Sequence, residues 1–130
     1  MLGGKLIHKE LSYTINGLLF KVHNDLGRFC NEKQYADRLE YYLIKDGIEF
    51  EREKILSQAF EGEHTARNKV DFLIEDKIIL ELKSKRVLDR EDYYQVKRYL
   101  VAINKRLGML VNFRDKYLKP RRVLNPLAKE

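Results

Sequence analysis

The stretch KVDFLIEDKIILELK, residues 69–83, decides the fold. Its halves, Lys69 to Glu75 and Lys77 to Lys83, are rich in aliphatic and β-branched residues and meet at Asp76, so they read as two strands joined by a tight hairpin. Side chains alternate across a strand. Asp71 and Leu73 therefore point one way and Val70, Phe72 and Ile74 the other, while Ile79, Glu81 and Lys83 share a face opposite Leu80 and Leu82. Each of two adjacent apolar strands thus has an acid embedded in it. Burying an unpaired carboxylate is costly, so such a pair calls for a cation or a hydrogen-bond network.

The flanking sequence supplies helices. Towards the N-terminus, Leu11, Ile15, Leu18, Leu19, Val22 and Leu26 recur at spacings of three and four, an amphipathic stripe stopped by Gly27. Tyr35, Ala36, Leu39, Tyr42 and Leu43 mark a second helix over 32–45, ended by Asp46-Gly47. The period then changes to two, predicting strands over 48–53 and 55–60, with Glu61-Gly62-Glu63 as the turn that follows. Beyond residue 83, a helix is expected over 89–104, with Asp89 as N-cap and Tyr93, Val96, Leu100 and Ile103 as its core face. The stretch GMLVNF, residues 108–113, closes the sheet as a buried strand. The expected order is α-α-β-β-β-β-α-β, an α/β sandwich with a mixed sheet covered by helices, with 1–9 and 120–130 peripheral.

Length and composition set the frame. The chain has 130 residues, 44% of them hydrophobic, enough for one domain (1–130) with a real core and too many for a disordered tail. Lys and Arg (26) exceed Asp and Glu (20), giving a net charge of +6 that suits an acidic partner such as nucleic acid. The single Cys30 excludes an intrachain disulfide and a Cys-rich zinc site. Without a signal-length or membrane-length apolar run, the expectation is a cytoplasmic protein with no membrane partner.

Two carboxylates on neighbouring strands, with a lysine two residues beyond the second, make a hard-oxygen site for Mg²⁺ or Mn²⁺ beside an ammonium. Phosphodiester hydrolysis needs those parts. The competing reading makes Glu81 and Lys83 a salt bridge at the sheet edge. A similar triplet, Glu75-Asp76-Lys77, falls in the turn and is simply solvated. Glu32 opens the second helix on the stripe of Tyr35 and Leu39, either as a third acid or as a helix-dipole carboxylate. Gln95 and Tyr99 lie four apart on a flank of the third helix, lining a cleft or forming a plain polar flank. His8, His23 and His64 lack metal-ligand spacing, and no Gly-rich phosphate loop occurs. The basic runs 83–86, 97–98, 105–106 and 119–122 are either solvated surface or phosphate contacts.

Together these residues resemble the PD-(D/E)xK nuclease superfamily, and within it the small GxxExxY proteins, over about 11–123. Glu32-x-x-Tyr35 matches the ExxY half of that name, residues 67–74 the segment with the superfamily aspartate, Glu81-Leu82-Lys83 the E-x-K strand, Gln95 to Tyr99 the QxxxY helix of RecB-like members, and 111–113 the closing strand. The resemblance implies a restriction-endonuclease-like core. It implies Asp71, Glu81 and the Leu82 carbonyl as Mg²⁺ ligands, Lys83 as the catalytic lysine, and Glu32 as a further acid reaching the metal through water. Gln95, Tyr99 and Tyr35 become cleft residues. One position departs: the glycine expected three residues before Glu32 is Phe29 here, and Arg28 stands where the family often has proline, so the loop before the acid differs. The implied activity is metal-dependent hydrolysis of DNA, with RNA as the other candidate. The alternative is a catalytically silent nucleic-acid-binding or regulatory module on the same fold. Monomer and homodimer are both candidate assemblies.

Overall fold

A computed structural model describes residues 7–58, 60–64 and 67–129. Helix α1 (Lys9–Leu26) ends at Gly27, whose φ of 76° and N–H bond to the His23 carbonyl form a glycine stop. Helix α2 (Glu32–Lys45) starts from a reciprocal capping box between Asn31 and Gln34. Strands β1 (Phe50–Ile55), β2 (Lys69–Ile74) and β3 (Ile78–Lys83) follow, then α3 (Arg90–Ile103), β4 (Leu107–Asn112) and β5 (Arg121–Leu124). The β2–β3 turn places Glu75 and Asp76 at positive φ and closes with Lys77 N–H on the Ile74 carbonyl.

The five strands lie in sequence order in one sheet. Only β3 and β4 are parallel, and α3 forms their crossover. The sheet is therefore mixed, as expected, and helices cover both faces. Against one face α1 and α2 bury Ile15, Leu19, Val22, Tyr35 and Leu39 on Phe72, Leu80, Leu82, Met109 and Val111. Against the other, α3 buries Val96, Tyr99 and Leu100 on Leu73, Ile79 and Leu110. The absence of a side chain at Gly108 lets α3 settle this closely, since a Cβ there would stand 2.5 Å from Val96 Cγ1. Among the described residues no helix is long and apolar enough to cross a membrane.

Three expectations need correction. The expected strand over 55–60 does not form among the described residues, and residue 59 lies outside them: β1 ends at Ile55, and Leu56 turns inward under α3, its N–H bonded to the Asn68 carbonyl. A fifth strand lies where the tail was expected to be peripheral, because Arg121–Leu124 pairs antiparallel with β4 and buries Val123. The order is thus α-α-β-β-β-α-β-β. Finally, α3 is rotated from the expected phase, so that Asp92 and Tyr99 are buried while Tyr93 is exposed. Residues 1–6, also expected to be peripheral, lie outside the described residues.

Candidate active site

The backbone ladder opens at Asp71. Strands β2 and β3 are bridged from Ile74↔Ile78 to Phe72↔Leu80, yet the next opposed pair, Asp71 and Glu81, is not bridged. On the other side β1 pairs with Phe72 and Val70 but skips Asp71, facing Glu53 at a left-handed φ of 53°. Side chains occupy the opening. Leu82 N–H donates to Asp71 Oδ2 at 2.8 Å, and Asp71 N–H donates to Glu81 Oε1 at 3.2 Å. Because the N–H and C=O of a strand residue leave on the same side, the Leu82 carbonyl also faces this gap.

Glu81 is only 4% exposed. Burial, and then the Asp71 charge and hydrogen bonding to the Asp71 carboxyl, push its pKa well above the ordinary carboxylate value, partly opposed by Lys83. The half-buried Asp71 carboxyl and the buried Glu81 carboxyl share one gap, and there the ionisation of Glu81 is opposed by burial and by the Asp71 charge. That donor set, two carboxylates and a backbone carbonyl, is oxygen throughout and fits a hard divalent cation such as Mg²⁺. Among the described residues no third Asp, Glu, His or Cys joins the pair in a metal-holding group.

Lys83 leaves β3 on the α3 face, as Glu81 does. Its Nζ donates to Gln95 Oε1 at 3.1 Å and lies 3.7 Å from Asp92 Oδ1. The competing reading, a salt bridge between Glu81 and Lys83 at the sheet edge, is not what forms: the Lys83 ammonium takes two partners on α3 instead. Tyr99 sits behind this group: burial and then the Glu81 charge raise its hydroxyl pKa. Gln95 and Tyr99 therefore meet the acid–lysine cluster on one side.

Sequence reasoning missed Asp92 and Asn112. Asp92 is the third residue of α3 and completes the capping box with Asp89, a D-x-x-D pattern that was readable. It is buried, and besides Lys83 it accepts from Lys85 Nζ at 3.0 Å. Burial opposes its ionisation, but the Asp89 N–H and Lys85 together hold it below its usual value. Asn112, at the end of β4, ties down the residues after the lysine: its Oδ1 accepts from Lys85 N–H and its Nδ2 donates to the Lys85 carbonyl.

Glu32 approaches from the α2 side. It is exposed, accepts from Ser84 N–H at 3.3 Å, and lines with Asp71, Leu82, Arg52 and Lys69 a cavity of about 150 Å³. Tyr35 is corrected. It is fully buried on the α1–α2 side, stacked on Phe113 at 4.1 Å between ring centroids, and its hydroxyl donates to the Gly27 carbonyl and accepts from Cys30 N–H. It supports the loop before α2 and lines no cleft. Of the basic runs, Lys83 and Lys85 reach the site, whereas Arg122 turns to Ser12 and the Ile7 carbonyl and Lys105 pairs with Asp76.

Residues 9–123 match a family model described as the PD-(D/E)XK nuclease superfamily. No curated protein and no solved structure gives a significant match.

Proposed function

The chain belongs to the PD-(D/E)XK nuclease superfamily, and from that premise we propose that it is a Mg²⁺-dependent nuclease hydrolysing phosphodiester bonds of DNA, with Mn²⁺ able to replace Mg²⁺ and RNA as the second candidate substrate. What carries this reading is the facing of Asp71 and Glu81 where the ladder opens, with Lys83 on the face of the second acid. Asp71, Glu81 and the Leu82 carbonyl would hold the cation, and Glu32 would reach it through water. The chemistry a bound divalent cation supplies is polarisation of the scissile phosphate and a more acidic water.

The remaining work falls to the side chains. Lys83, fixed by Gln95 and Asp92, presents a positive charge towards the gap, where it orients the attacking water or offsets negative charge on the phosphate. Gln95 keeps the ammonium on the Glu81 side, and Tyr99 closes the base of the site against bulk water. Exposed cations around the cleft, Lys33 and Lys69 among them, hold the phosphate backbone without reading sequence. Within the superfamily, Glu32-x-x-Tyr35 supports placement among the GxxExxY proteins.

The test is incubation of the purified protein with circular and linear DNA, single-stranded DNA and RNA, in Mg²⁺, Mn²⁺ or EDTA. Cleavage that needs the ion and disappears in Asp71→Asn supports the nuclease. Binding of nucleic acid without cleavage in any ion would make the chain a silent module.

A further inference from the structure

The loop between α1 and α2 displays an aromatic ring in a fixed place beside the lysine end of β3. Phe29 is 74% exposed. An exposed phenylalanine alone needs no explanation, but this one is flanked by two guanidinium groups, Arg28 at 5.0 Å and Arg114 at 5.2 Å from the ring centroid. Arg28 Nε donates to the Arg114 carbonyl at 2.8 Å, joining the loop to the segment after β4. The Tyr35 hydroxyl spans the loop from the Gly27 carbonyl at 2.6 Å to Cys30 N–H at 3.2 Å. Ser84, the residue after Lys83, donates from Oγ to the Cys30 carbonyl at 3.0 Å and from its N–H to Glu32. The loop that carries the ring is thus tied to the segment after β4, to α2 and to Ser84 at the end of β3.

Resting on the nuclease reading, we propose that Phe29, Arg28 and Arg114 form a grip for an unpaired base of the substrate strand flanking the scissile phosphate. Neither arginine is in an ion pair with a carboxylate among the described residues, so both charges remain available to phosphates. A duplex backbone needs only such cations. A largely exposed ring beside two guanidinium groups adds something else, an aromatic surface outside the arginines that an unstacked base covers and a paired base cannot reach. The substrate class favoured is therefore single-stranded nucleic acid, or duplex with an unpaired flank.

The experiment uses the full chain carrying Asp71→Asn to prevent turnover, with fluorescence anisotropy of a labelled oligothymidylate and of a duplex of equal length at one fixed salt concentration. Phe29→Ala should weaken single-strand binding by about tenfold or more while changing duplex binding by less than about threefold. Phe29→Trp should restore it, and Arg114→Gln should flatten the salt dependence. Because Phe29 is exposed, its variants should keep the parent melting temperature. Equal affinity of Phe29→Ala and its parent, or an equal loss on both substrates, overturns the grip. Phe29-dependent binding of single strands in a protein whose wild type cleaves nothing would leave the grip standing and remove the nuclease.

Discussion

Asp71 donates its backbone N–H to Glu81 Oε1, and the strand that bears Glu81 returns a backbone N–H, that of Leu82, to Asp71 Oδ2. Each acid is thus held by the main chain of the opposing strand, in the place where ladder bonds would otherwise run. This satisfies the two open backbone N–H groups. It also fixes both carboxyls at close quarters in a buried gap, an arrangement unfavourable to the metal-free fold and suited to a divalent cation.

Removing that cost should stabilise the protein. The pKa of Glu81 is raised on folding above its ordinary 4.5, chiefly by burial and the Asp71 charge. Its contribution to stability is then fully present below 4.5 and is lost as pH rises through the folded-state value. Glu81→Gln cannot ionise. In EDTA at pH 8 it should melt above the wild type, by ~3–6 °C for a gain on the order of 1 kcal/mol. The advantage should vanish in scans below pH 4.5, and Mg²⁺ should raise the melting temperature of the wild type only.

Lys83→Ala should lower turnover by ~10²–10³-fold, the usual loss when a group that offsets transition-state charge is removed. Its affinity for nucleic acid should change by less than about threefold, because one ammonium is lost among 26 basic residues. Single-turnover cleavage and anisotropy on the same preparation separate the two effects.

Asp92→Asn separates positioning from capping. Asn keeps an oxygen for the Asp89 N–H, but it takes the negative charge from beside Lys83 and Lys85. Turnover should fall about tenfold with KM little changed, since the lysine loses an anchor while the exposed surface stays as it was. Folding holds the Asp92 pKa below its ordinary 3.8, so its stabilisation is present above that pH and is lost as pH falls through the folded value. The variant should therefore melt slightly below wild type at pH 7, by about 1 kcal/mol or less, and match it in strong acid.

The hairpin and its acids were legible because they depend on local rules. Alternation set the faces of β3 and of residues 72–74 in β2, and a tight turn at Glu75-Asp76 places Asp71 opposite Glu81; Val70 departs from it, packing with Leu73 on the α3 side because the β1–β2 ladder is interrupted at Glu53 and Asp71. The helices were bounded by Gly27, Asp46-Gly47 and Asp89, all signals that act within a turn of themselves. Long-range contacts decided what was misread. Arg121-Arg122-Val123-Leu124 buries only Val123 deeply and looks like charged surface until β4 supplies its partner. Residues 56–58 continue an alternating pattern, but Leu56 leaves the strand to pack under α3. Tyr93 and Tyr99 both lie beside the stripe of Val96 and Leu100, and only the packing of α3 on the sheet buries the second and leaves the first exposed. Tyr35 has the right spacing for a cleft residue, and only the path of the 27–31 loop puts its hydroxyl to structural use.

Tyr35→Phe tests that correction. Removing the hydroxyl leaves the Cys30 N–H without its acceptor and the Gly27 carbonyl without its donor, at a cost of ~1–2 kcal/mol. Thermal denaturation should show the loss, while kcat measured well below the melting temperature stays within about twofold of wild type. A kcat that falls with unchanged stability would return Tyr35 to the cleft.

The most direct measurement is isothermal titration of Mn²⁺ into the wild type, Asp71→Ala and Glu32→Gln at pH 8, run in two buffers of different ionisation enthalpy. The wild type should bind one ion per chain, with an affinity that falls as the pH is lowered, because proton and cation compete for the Glu81 carboxyl, whose pKa is raised by burial and the Asp71 charge. Asp71→Ala should bind none at the same concentrations. Glu32→Gln should bind several-fold more weakly, as expected of an acid acting through water. Equal binding of Mn²⁺ by the wild type and Asp71→Ala would contradict the assignment of the ladder opening as the metal centre.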